Sequence, residues 1–373
     1  MSLEETIEEL QIKPFSQKAA GQAREKLDGV AKPLDGLGYF EEILCRIAGM
    51  QGSADIDISK RIVVMMCADN GIVEEGISQS SYDVTASVAV SMSLGNSSVC
   101  RMAERAHADT LPVDIGIRNK EQLSGYTSEE PARGDNGHYR LLRLCADEIR
   151  GTENFLKTPA MTEERLAQAL TSGMELAGRL CDMGYRLICT GEMGIGNTTT
   201  SAAVAASLLR IDPDLITGRG AGLDEERLIR KREVIKQAIG QYRLYKAGVY
   251  EVLRTVGGYD IAGLTGLFLG GAVYGMPVVI DGCISATAAL CAVRMRPECR
   301  DYMLASHKGS EKSTEMVLDE LGLTPVLDTA MKLGEGTGAV MLVPLIDMAL
   351  AVYDSNVTFE DISVERYERY TKI

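Results

Sequence analysis

The sequence predicts an α/β protein whose mostly parallel β-sheet is covered by helices on both faces. Apolar runs of strand length occur at 61–67, 111–114, 185–190 and 277–280, and a shorter run lies near residue 303. Helical periodicity separates these runs and is clearest at 163–183, where Leu166, Leu170, Met174 and Ala177 follow one another at spacings of four and three. Alternation of strands and helices is typical of a parallel sheet, because each helix carries the chain back to the same end of the sheet.

Helices are predicted at both ends of the chain and between the strands. In chain order they cover 4–29, 39–48, 85–106, 163–183, 198–209, 224–239, 260–274, 285–293 and 339–353. The charged segment 116–137 contains Gly, Pro, Ser and Glu, so we expect a loop on the surface there.

Composition excludes several classes of protein. A length of 373 residues suggests about two domains. The net charge of −14 disfavours nucleic acid or an anionic membrane as a partner. No apolar run approaches the roughly 18 residues of a membrane span, and the acidic start MSLEETIEEL does not resemble a signal peptide. We therefore expect a cytoplasmic protein.

Cysteine and histidine usage gives no sign of a metal site. The nine cysteines include no CxxC pair, and most lie within apolar runs. The three histidines show no ligand spacing either. Buried free thiols are predicted, with neither a zinc site nor a disulfide framework.

The segment 191–200, GEMGIGNTTT, connects a predicted strand to a predicted helix. Its three glycines, Gly191, Gly194 and Gly196, permit positive φ and close approach of a ligand, and the free N–H groups of the helix start favour a phosphate or carboxylate. A plain tight turn explains the same glycines equally well. Glu192 would repel a phosphate, so this segment is predicted to hold a polar or cationic organic group as well.

Several further motifs occur along the chain. They are AKPLDGLG at 31–38, CADNG at 67–71, VDIG at 113–116, PAMT at 159–162, GRGAGLDEERLIRKR at 218–232, GGYDIAGLTG at 257–266, PVVIDG at 277–282 and LGEGTGA at 333–339. Together with GEMGIGNTTT they resemble the nicotinate-nucleotide:dimethylbenzimidazole phosphoribosyltransferase family over nearly the whole chain.

The resemblance implies a doubly wound, mostly parallel sheet with a small helical domain built from both chain termini. The small domain would comprise 1–58 with 345–373, and a large Rossmann-like catalytic domain would comprise 59–344. The family resemblance also implies a homodimer in which one subunit completes the active site of the other.

The implied activity is that of a pentosyltransferase in cobalamin biosynthesis. The 5-phosphoribosyl group of nicotinate mononucleotide would pass to 5,6-dimethylbenzimidazole or a related base, giving alpha-ribazole 5'-phosphate and nicotinate. Glu335 stands at the family's catalytic position, where a carboxylate can take the benzimidazole proton as a general base. On sequence alone, a helix-capping role before 339–353 is the more common reason for such a glutamate. Nicotinate on ribose is already a pyridinium, so neither a metal nor a cofactor is expected.

The resemblance also implies the residues that bind the substrates. Lys231 matches the phosphate-site lysine, although a solvated helix face is the more common place for such a residue. Asp281 and Asp260 are candidates for contacts near the ribose or for helix caps. The remaining predicted contacts are Gly309 and Ser310 to the phosphate, Gly194, Ile195 and Gly196 through backbone donors to nicotinate or ribose, Glu192 beside the cationic ring or the sugar hydroxyls, Ser80 and Tyr82 in the acceptor pocket, and Leu333.

The acceptor pocket departs from the family pattern. Asp69-Asn70-Gly71 stands where family members commonly have Asp-His-Gly, and Tyr82 replaces residues of other types. Benzimidazole, adenine or a phenol therefore stay open as acceptors, the last in a heteromer with a partner chain. A catalytically idle nucleotide-binding subunit is a further alternative. The retention of Glu335, Glu192 and Lys231 favours an enzyme.

Overall fold

A computed structural model describes residues 2–355 and 357–369, so that Met1, Asn356 and 370–373, which fall within the predicted terminal domain, lie outside the described residues. Seven strands form one sheet in the order β3-β4-β2-β1-β5-β6-β7, and every adjacent pair is parallel. The strands are β1 Arg61–Ala68, β2 Asp109–Gly116, β3 Thr127–Ser128, β4 Leu141–Arg143, β5 Leu187–Met193, β6 Val278–Ile280 and β7 Met303–Ala305. The predicted α/β class with a parallel sheet is confirmed.

The sheet changes direction at β1. The chain continues from β1 to β2 on one side and later returns to place β5 on the other side. Every residue of β1 is buried, which accounts for its nearly continuous apolar sequence. The crevice above the carboxyl ends of β1 and β5 is therefore the switch point at which open parallel sheets bind their ligands.

Fourteen α-helices cover the sheet within the described ranges. They are α1 Leu3–Glu8, α2 Gln17–Gly29, α3 Tyr39–Gln51, α4 Asp83–Ser93, α5 Ser98–Arg105, α6 Glu163–Asp182, α7 Asn197–Leu209, α8 Pro213–Ile216, α9 Glu225–Tyr242, α10 Val249–Val256, α11 Tyr259–Tyr274, α12 Cys283–Met295, α13 Lys312–Leu321 and α14 Thr337–Tyr353. Short 3-10 helices lie at Gly71–Glu75, Lys120–Leu123, Leu244–Lys246 and Pro297–Tyr302. In the part of the chain that the structure describes, no helix is both long and apolar enough to cross a membrane.

Two helices that the sequence predicted as continuous are each divided in two. The segment 4–29 breaks before Ser16, whose hydroxyl accepts the N–H of Ala19 at 3.1 Å and begins α2. The segment 85–106 breaks at Gly95, which has a φ of +73° and separates α4 from α5. Helical periodicity missed both breaks because a side-chain cap and a positive φ do not show in the spacing of apolar residues.

The sequence predicted a surface loop over 116–137, but this segment also contributes to the sheet. It contains β3, which pairs with β4 and extends the sheet by its outermost strand. Leu141 and Leu142 of β4 are fully buried. Strands of two and three residues are too short for alternation to show in the sequence. The helices α8, α10 and α13 were also missed.

The two chain termini meet on one side of the protein. Val30 forms an antiparallel bridge with Thr358, and the guanidinium of Arg369 pairs with the carboxylates of Asp28 and Asp35, both at 2.7 Å. The helix α14 packs against α3. The predicted boundary at 344/345 falls inside α14, and the division into two domains stays a prediction.

All nine cysteines are free thiols, and eight of them are buried as predicted. Cys181 is half-buried.

Candidate active site

A cavity of about 300 Å³ lies at the carboxyl edge of the sheet, close to the lower limit of small-molecule sites. Its walls come from the ends of β5, β6 and β7, from the start of α4, and from the loop before α14. It is lined by nine of the predicted site residues: Ser80, Glu192, Gly194, Ile195, Asp281, Gly309, Ser310, Leu333 and Glu335. Tyr82, Gly196 and Lys231 do not line it.

Glu335 reaches the cavity from the loop between Leu333 and α14. Its φ of +61° places a non-glycine residue in the left-handed region. The side-chain Oε2 accepts the N–H of Val99, in the first turn of α5, at 3.4 Å. Burial raises the pKa of the Glu335 carboxyl above its ordinary 4.5; the Val99 N–H opposes this change and the negative charge of Asp281 adds to it. A carboxyl with a raised pKa in a cavity is suited to proton transfer.

Asp281 holds the loop that carries Glu335. Its Oδ1 accepts the N–H groups of Gly338 at 2.8 Å and Ala339 at 3.1 Å, and its Oδ2 accepts the N–H of Gly336 at 3.2 Å. These donors belong to the start of α14, so the carboxylate caps that helix. Of the two roles open from the sequence, capping is the one seen in the contacts, although Asp281 also lines the cavity.

Glu192 lies at the end of β5 and is nearly buried. The amide Nδ2 of Asn197, in the first turn of α7, donates to its Oε2. Burial raises the pKa of Glu192 from 4.5 to about 8, with further contributions from the charges of Asp260 and Asp281. At neutral pH the isolated protein therefore holds Glu192 largely in its protonated form, and a cationic ligand nearby would favour ionisation.

Asp260 stands behind the cavity wall. Its Oδ2 is buried without a hydrogen-bond partner among the described residues, and burial raises its pKa from 3.8 to about 7. A Cβ built on Gly194 would lie 2.9 Å from this oxygen. Gly194 therefore separates Asp260 from the cavity, and Asp260 does not line it.

The backbone of Ile195 is held on both sides. Its N–H donates to the hydroxyl of Thr85 at 3.3 Å, and its carbonyl oxygen accepts from Nδ2 of Asn70 at 3.3 Å. The Ile195 N–H thus already has an acceptor inside the protein. Gly196, with a φ of +93°, forms the turn into α7.

Lys231 projects from α9 and is only 1% exposed. Its Nζ donates to the hydroxyl of Thr198 at 2.9 Å and to the carbonyl oxygen of Gly218 at 3.1 Å. Burial lowers the pKa of Lys231 from 10.5 to about 8. Thr198 lines the cavity, so the ammonium group is one hydrogen bond away from it. The solvated-face alternative is wrong for this lysine.

The predicted acceptor residues lie at and near the start of α4. Ser80 lines the cavity, and the N–H of Ser80 donates to the hydroxyl of Ser78 at 3.1 Å. Tyr82 instead packs beneath the guanidinium of Arg118, which lies 4.4 Å from the ring centre. Leu333 lines the cavity with 51% of its surface exposed.

Sequence reasoning missed several cavity residues. His307 follows β7 and places its Nδ1 2.9 Å from the hydroxyl of Ser306. Glu311 precedes α13, Thr314 lies in its first turn, and Val84 comes from α4. The rule that polar residues at strand ends face the ligand would have found His307 once β7 was placed. Within residues 2–355 and 357–369, no three His, Cys, Asp or Glu side chains are grouped to hold a metal ion.

The fold and the cavity together define an α/β protein with a ligand site at the switch point of a parallel sheet. A family model described as a phosphoribosyltransferase matches residues 12–364, and the chain belongs to this family. The family and the enzyme class predicted from the sequence are thereby confirmed.

Individual relatives match over nearly their full length. The nicotinate-nucleotide–dimethylbenzimidazole phosphoribosyltransferase of Ruminiclostridium cellulolyticum is 40% identical over 368 residues, which cover 99% of each chain. The protein of the same name from Acetivibrio thermocellus is 39% identical, covering 92% of this chain and 93% of that protein. The crystal structure of CobT from Thermus thermophilus superimposes with a TM-score of 0.82 at 35% identity, covering 94% of this chain and all of that one.

Proposed function

We propose that this protein transfers the 5-phosphoribosyl group of nicotinate mononucleotide to 5,6-dimethylbenzimidazole, giving alpha-ribazole 5'-phosphate and nicotinate. The observation that carries the proposal is the position of Glu335, whose carboxyl lines the cavity on a loop that Asp281 holds in place. The names of the relatives from R. cellulolyticum and A. thermocellus support the choice of substrates.

Glu335 acts as the general base in this proposal. One nitrogen of the benzimidazole donates its proton to the Glu335 carboxylate while the other nitrogen attacks C1′ of the ribose. The bond between C1′ and the nicotinate nitrogen breaks, and its electron pair goes to that ring nitrogen. The pyridinium ring thereby becomes an uncharged pyridine ring and leaves as nicotinate. The raised pKa of Glu335 makes it a stronger base than an ordinary glutamate.

The phosphate end of the nucleotide is proposed to bind near Thr198. Lys231 supplies a positive charge behind this hydroxyl, and Gly309 and Ser310 lie in the adjoining cavity wall. Of these two, Ser310 already donates its backbone N–H to the carbonyl oxygen of Met331 at 2.9 Å, which leaves its hydroxyl for the ligand. The nicotinate ring and ribose would then lie against Glu192, Gly194 and Ile195.

A homodimer and a cytoplasmic location remain part of the proposal. Apolar side chains on the outer face of α14 support a dimer, since Met348 is 61% exposed and Met341 is 38% exposed. Leu333 is exposed at the cavity mouth, where a second subunit would complete the acceptor pocket.

The departure from the family pattern at Asn70 gives no reason to prefer an acceptor other than 5,6-dimethylbenzimidazole. Although Asn70 departs from the family pattern, it is fully buried and its Nδ2 holds the Ile195 carbonyl behind the cavity wall. The substitution therefore changes the support of the site and not its lining.

The test is incubation of the purified chain alone with nicotinate mononucleotide and each of four acceptors: 5,6-dimethylbenzimidazole, benzimidazole, adenine and phenol. Nicotinate release is followed by chromatography, and the oligomeric state by gel filtration with light scattering. We expect the fastest release with 5,6-dimethylbenzimidazole. Binding of the nucleotide without nicotinate release with any acceptor would favour the idle subunit. Nicotinate release only with phenol as the acceptor, and only after a partner chain is added, would favour the heteromer.

A further inference from the structure

An acidic side chain, Glu311, lies in the part of the cavity wall where the phosphate is proposed to bind. It immediately precedes α13, and its Oε1 accepts the backbone N–H of Gly220 at 2.9 Å. The other oxygen, Oε2, packs so closely against Gly218 that a Cβ there would overlap it. A carboxylate thus holds a backbone donor of the glycine-rich segment 218–222.

The groups around Glu311 are suited to an anion. Lys231 is buried beside it, and no carboxylate within the described ranges lies within 4.0 Å of the lysine Nζ. The charge of Glu311 is the main influence that opposes the effect of burial on the pKa of Lys231. The hydroxyl of Thr314 lines the same cavity, is 1% exposed as a residue, and has no hydrogen-bond partner in the part of the chain that the structure describes.

A phosphate could use the same donors. The Gly220 N–H, the Thr314 hydroxyl and the start of the ten-residue helix α13 offer hydrogen bonds, and Lys231 offers positive charge. The Gly220 N–H has room for one anionic acceptor at a time. A phosphate placed there while Glu311 stayed would also face a like charge at close range, which is unfavourable in a partly buried site.

We propose that Glu311 competes with the phosphate of the substrate for the N–H of Gly220, so that its carboxylate must swing away when the nucleotide binds. This inference rests on the proposed function, because it takes the ligand to be a phosphate monoester. Glu311 then lowers the affinity for the nucleotide. The product is a phosphate monoester too, so the same competition shortens the time for which the product stays bound.

The test compares two variants with a matched control. Glu311→Gln removes the charge but keeps an oxygen acceptor for Gly220, and Glu311→Ala removes both. The control is Glu315→Gln, which makes the same change on α13 at an exposed residue whose carboxylate pairs with Lys308. Affinities for nicotinate mononucleotide and for inorganic phosphate are measured by calorimetry at pH 6.5, where Lys231, with a pKa of about 8, is protonated.

We expect both Glu311 variants to bind the nucleotide and inorganic phosphate about tenfold more tightly than the wild type, because a hydrogen bond to a charged group contributes at least about a factor of ten. Affinity for nicotinate riboside, which lacks the phosphate, should not change. Glu315→Gln should match the wild type for every ligand.

Unchanged or weaker binding of both phosphate ligands by Glu311→Gln would overturn the inference, since Glu311 would then be a structural latch or a direct ligand of the sugar. The same conclusion follows if the riboside gains affinity as much as the mononucleotide. Should Glu311→Ala fail to fold, the milder Glu311→Gln decides alone. Failure of the proposed function is a separate result, in which the wild-type chain neither binds nicotinate mononucleotide nor releases nicotinate from it.

Discussion

Replacing Glu335 by Gln or by Gly is expected to abolish turnover in both cases, whereas only Gly relieves the backbone strain at this position. The amide of Gln keeps the shape of the side chain but takes no proton. Loss of a general base typically lowers kcat by about 10²- to 10⁴-fold, equivalent to about 3–5 kcal/mol in the barrier. The affinity of Glu335→Gln for the nucleotide should stay close to that of the wild type, because the side chain of Glu335 is proposed to contact the acceptor and not the nucleotide.

The stability difference follows from the backbone of Glu335. A non-glycine residue at a φ of +61° stores about 1–3 kcal/mol of strain, which Gln retains and Gly removes. Glycine also makes the unfolded chain more flexible, which lowers the free energy of unfolding by about 0.5–1 kcal/mol and offsets part of this gain. Glu335→Gly also loses the hydrogen bond from the Val99 N–H, so the matched reference is Glu335→Ala, which lacks the same carboxylate. The net expectation is that the free energy of unfolding of Glu335→Gly exceeds that of Glu335→Ala by about 1 kcal/mol, while both variants lose catalysis.

Ala330 offers the matched control, since it has a φ of +50° in the same segment and does not line the cavity. Ala330→Gly should gain similar stability with unchanged kcat. Nicotinate release gives the activities, and urea unfolding gives the free energies. More than half of the wild-type kcat in Glu335→Gln would remove Glu335 from the base role. If Ala330→Gly is more stable than the wild type and Glu335→Gly is no more stable than Glu335→Ala, the strain argument for Glu335 is wrong.

The pH dependence of kcat/KM in the wild type should report the ionisation of Glu335. Because the base must be ionised, kcat/KM falls as the pH drops through the pKa of Glu335. Burial raises that pKa, so the acid limb should lie above pH 4.5. A limb at or below pH 4.5 would contradict the buried carboxyl.

Three further results are expected. Lys231→Met, which keeps the buried volume, should raise KM for nicotinate mononucleotide by about 10- to 150-fold and leave KM for the acceptor nearly unchanged. In the wild type, the affinity for the nucleotide should fall as the pH rises through the lysine pKa of about 8. EDTA should not lower the rate, since the pyridinium leaving group needs no metal. Glu192→Gln should stabilise the protein more at pH 8 than at pH 5. The folded-state pKa of Glu192, about 8, exceeds the ordinary 4.5, so the wild type loses stability as the pH rises between these two values, and the Gln variant does not.

Each of these has a contradicting outcome. If Lys231→Met lowers kcat/KM for nicotinate riboside as much as for the mononucleotide, the lysine has a structural role or contacts the ribose. Activity that returns only on addition of magnesium after EDTA would require a metal. Thermal melts of Glu192→Gln that differ from the wild type equally at both pH values would mean that Glu192 titrates normally.

Local patterns in the sequence predicted the strands that form the centre of the sheet, and for a physical reason. Both faces of β1 and β5 are covered by helices, so their residues must be apolar, and buried runs between helices of 3.6-residue period are visible in a single sequence. Glu335 was selected through the family resemblance of LGEGTGA, because on local sequence alone a helix cap is the more common reason for such a glutamate. The edge strand β3 left no such pattern, since its two residues are half-buried.

The roles of individual polar groups depended on contacts between distant parts of the chain. The carboxylate of Asp281 was open as a ribose contact until α14, which begins 56 residues later at Thr337, was found to place its N–H groups on it. The family resemblance assigned Lys231 to the phosphate, whereas its local sequence is more typical of a solvated helix face. Its burial behind the cavity comes from the packing of α9 against Thr198 and Gly218. Hydrogen bonds and burial of this kind arise when separate elements pack together, so the sequence determined which residue types were present and the tertiary structure decided which partner each one has.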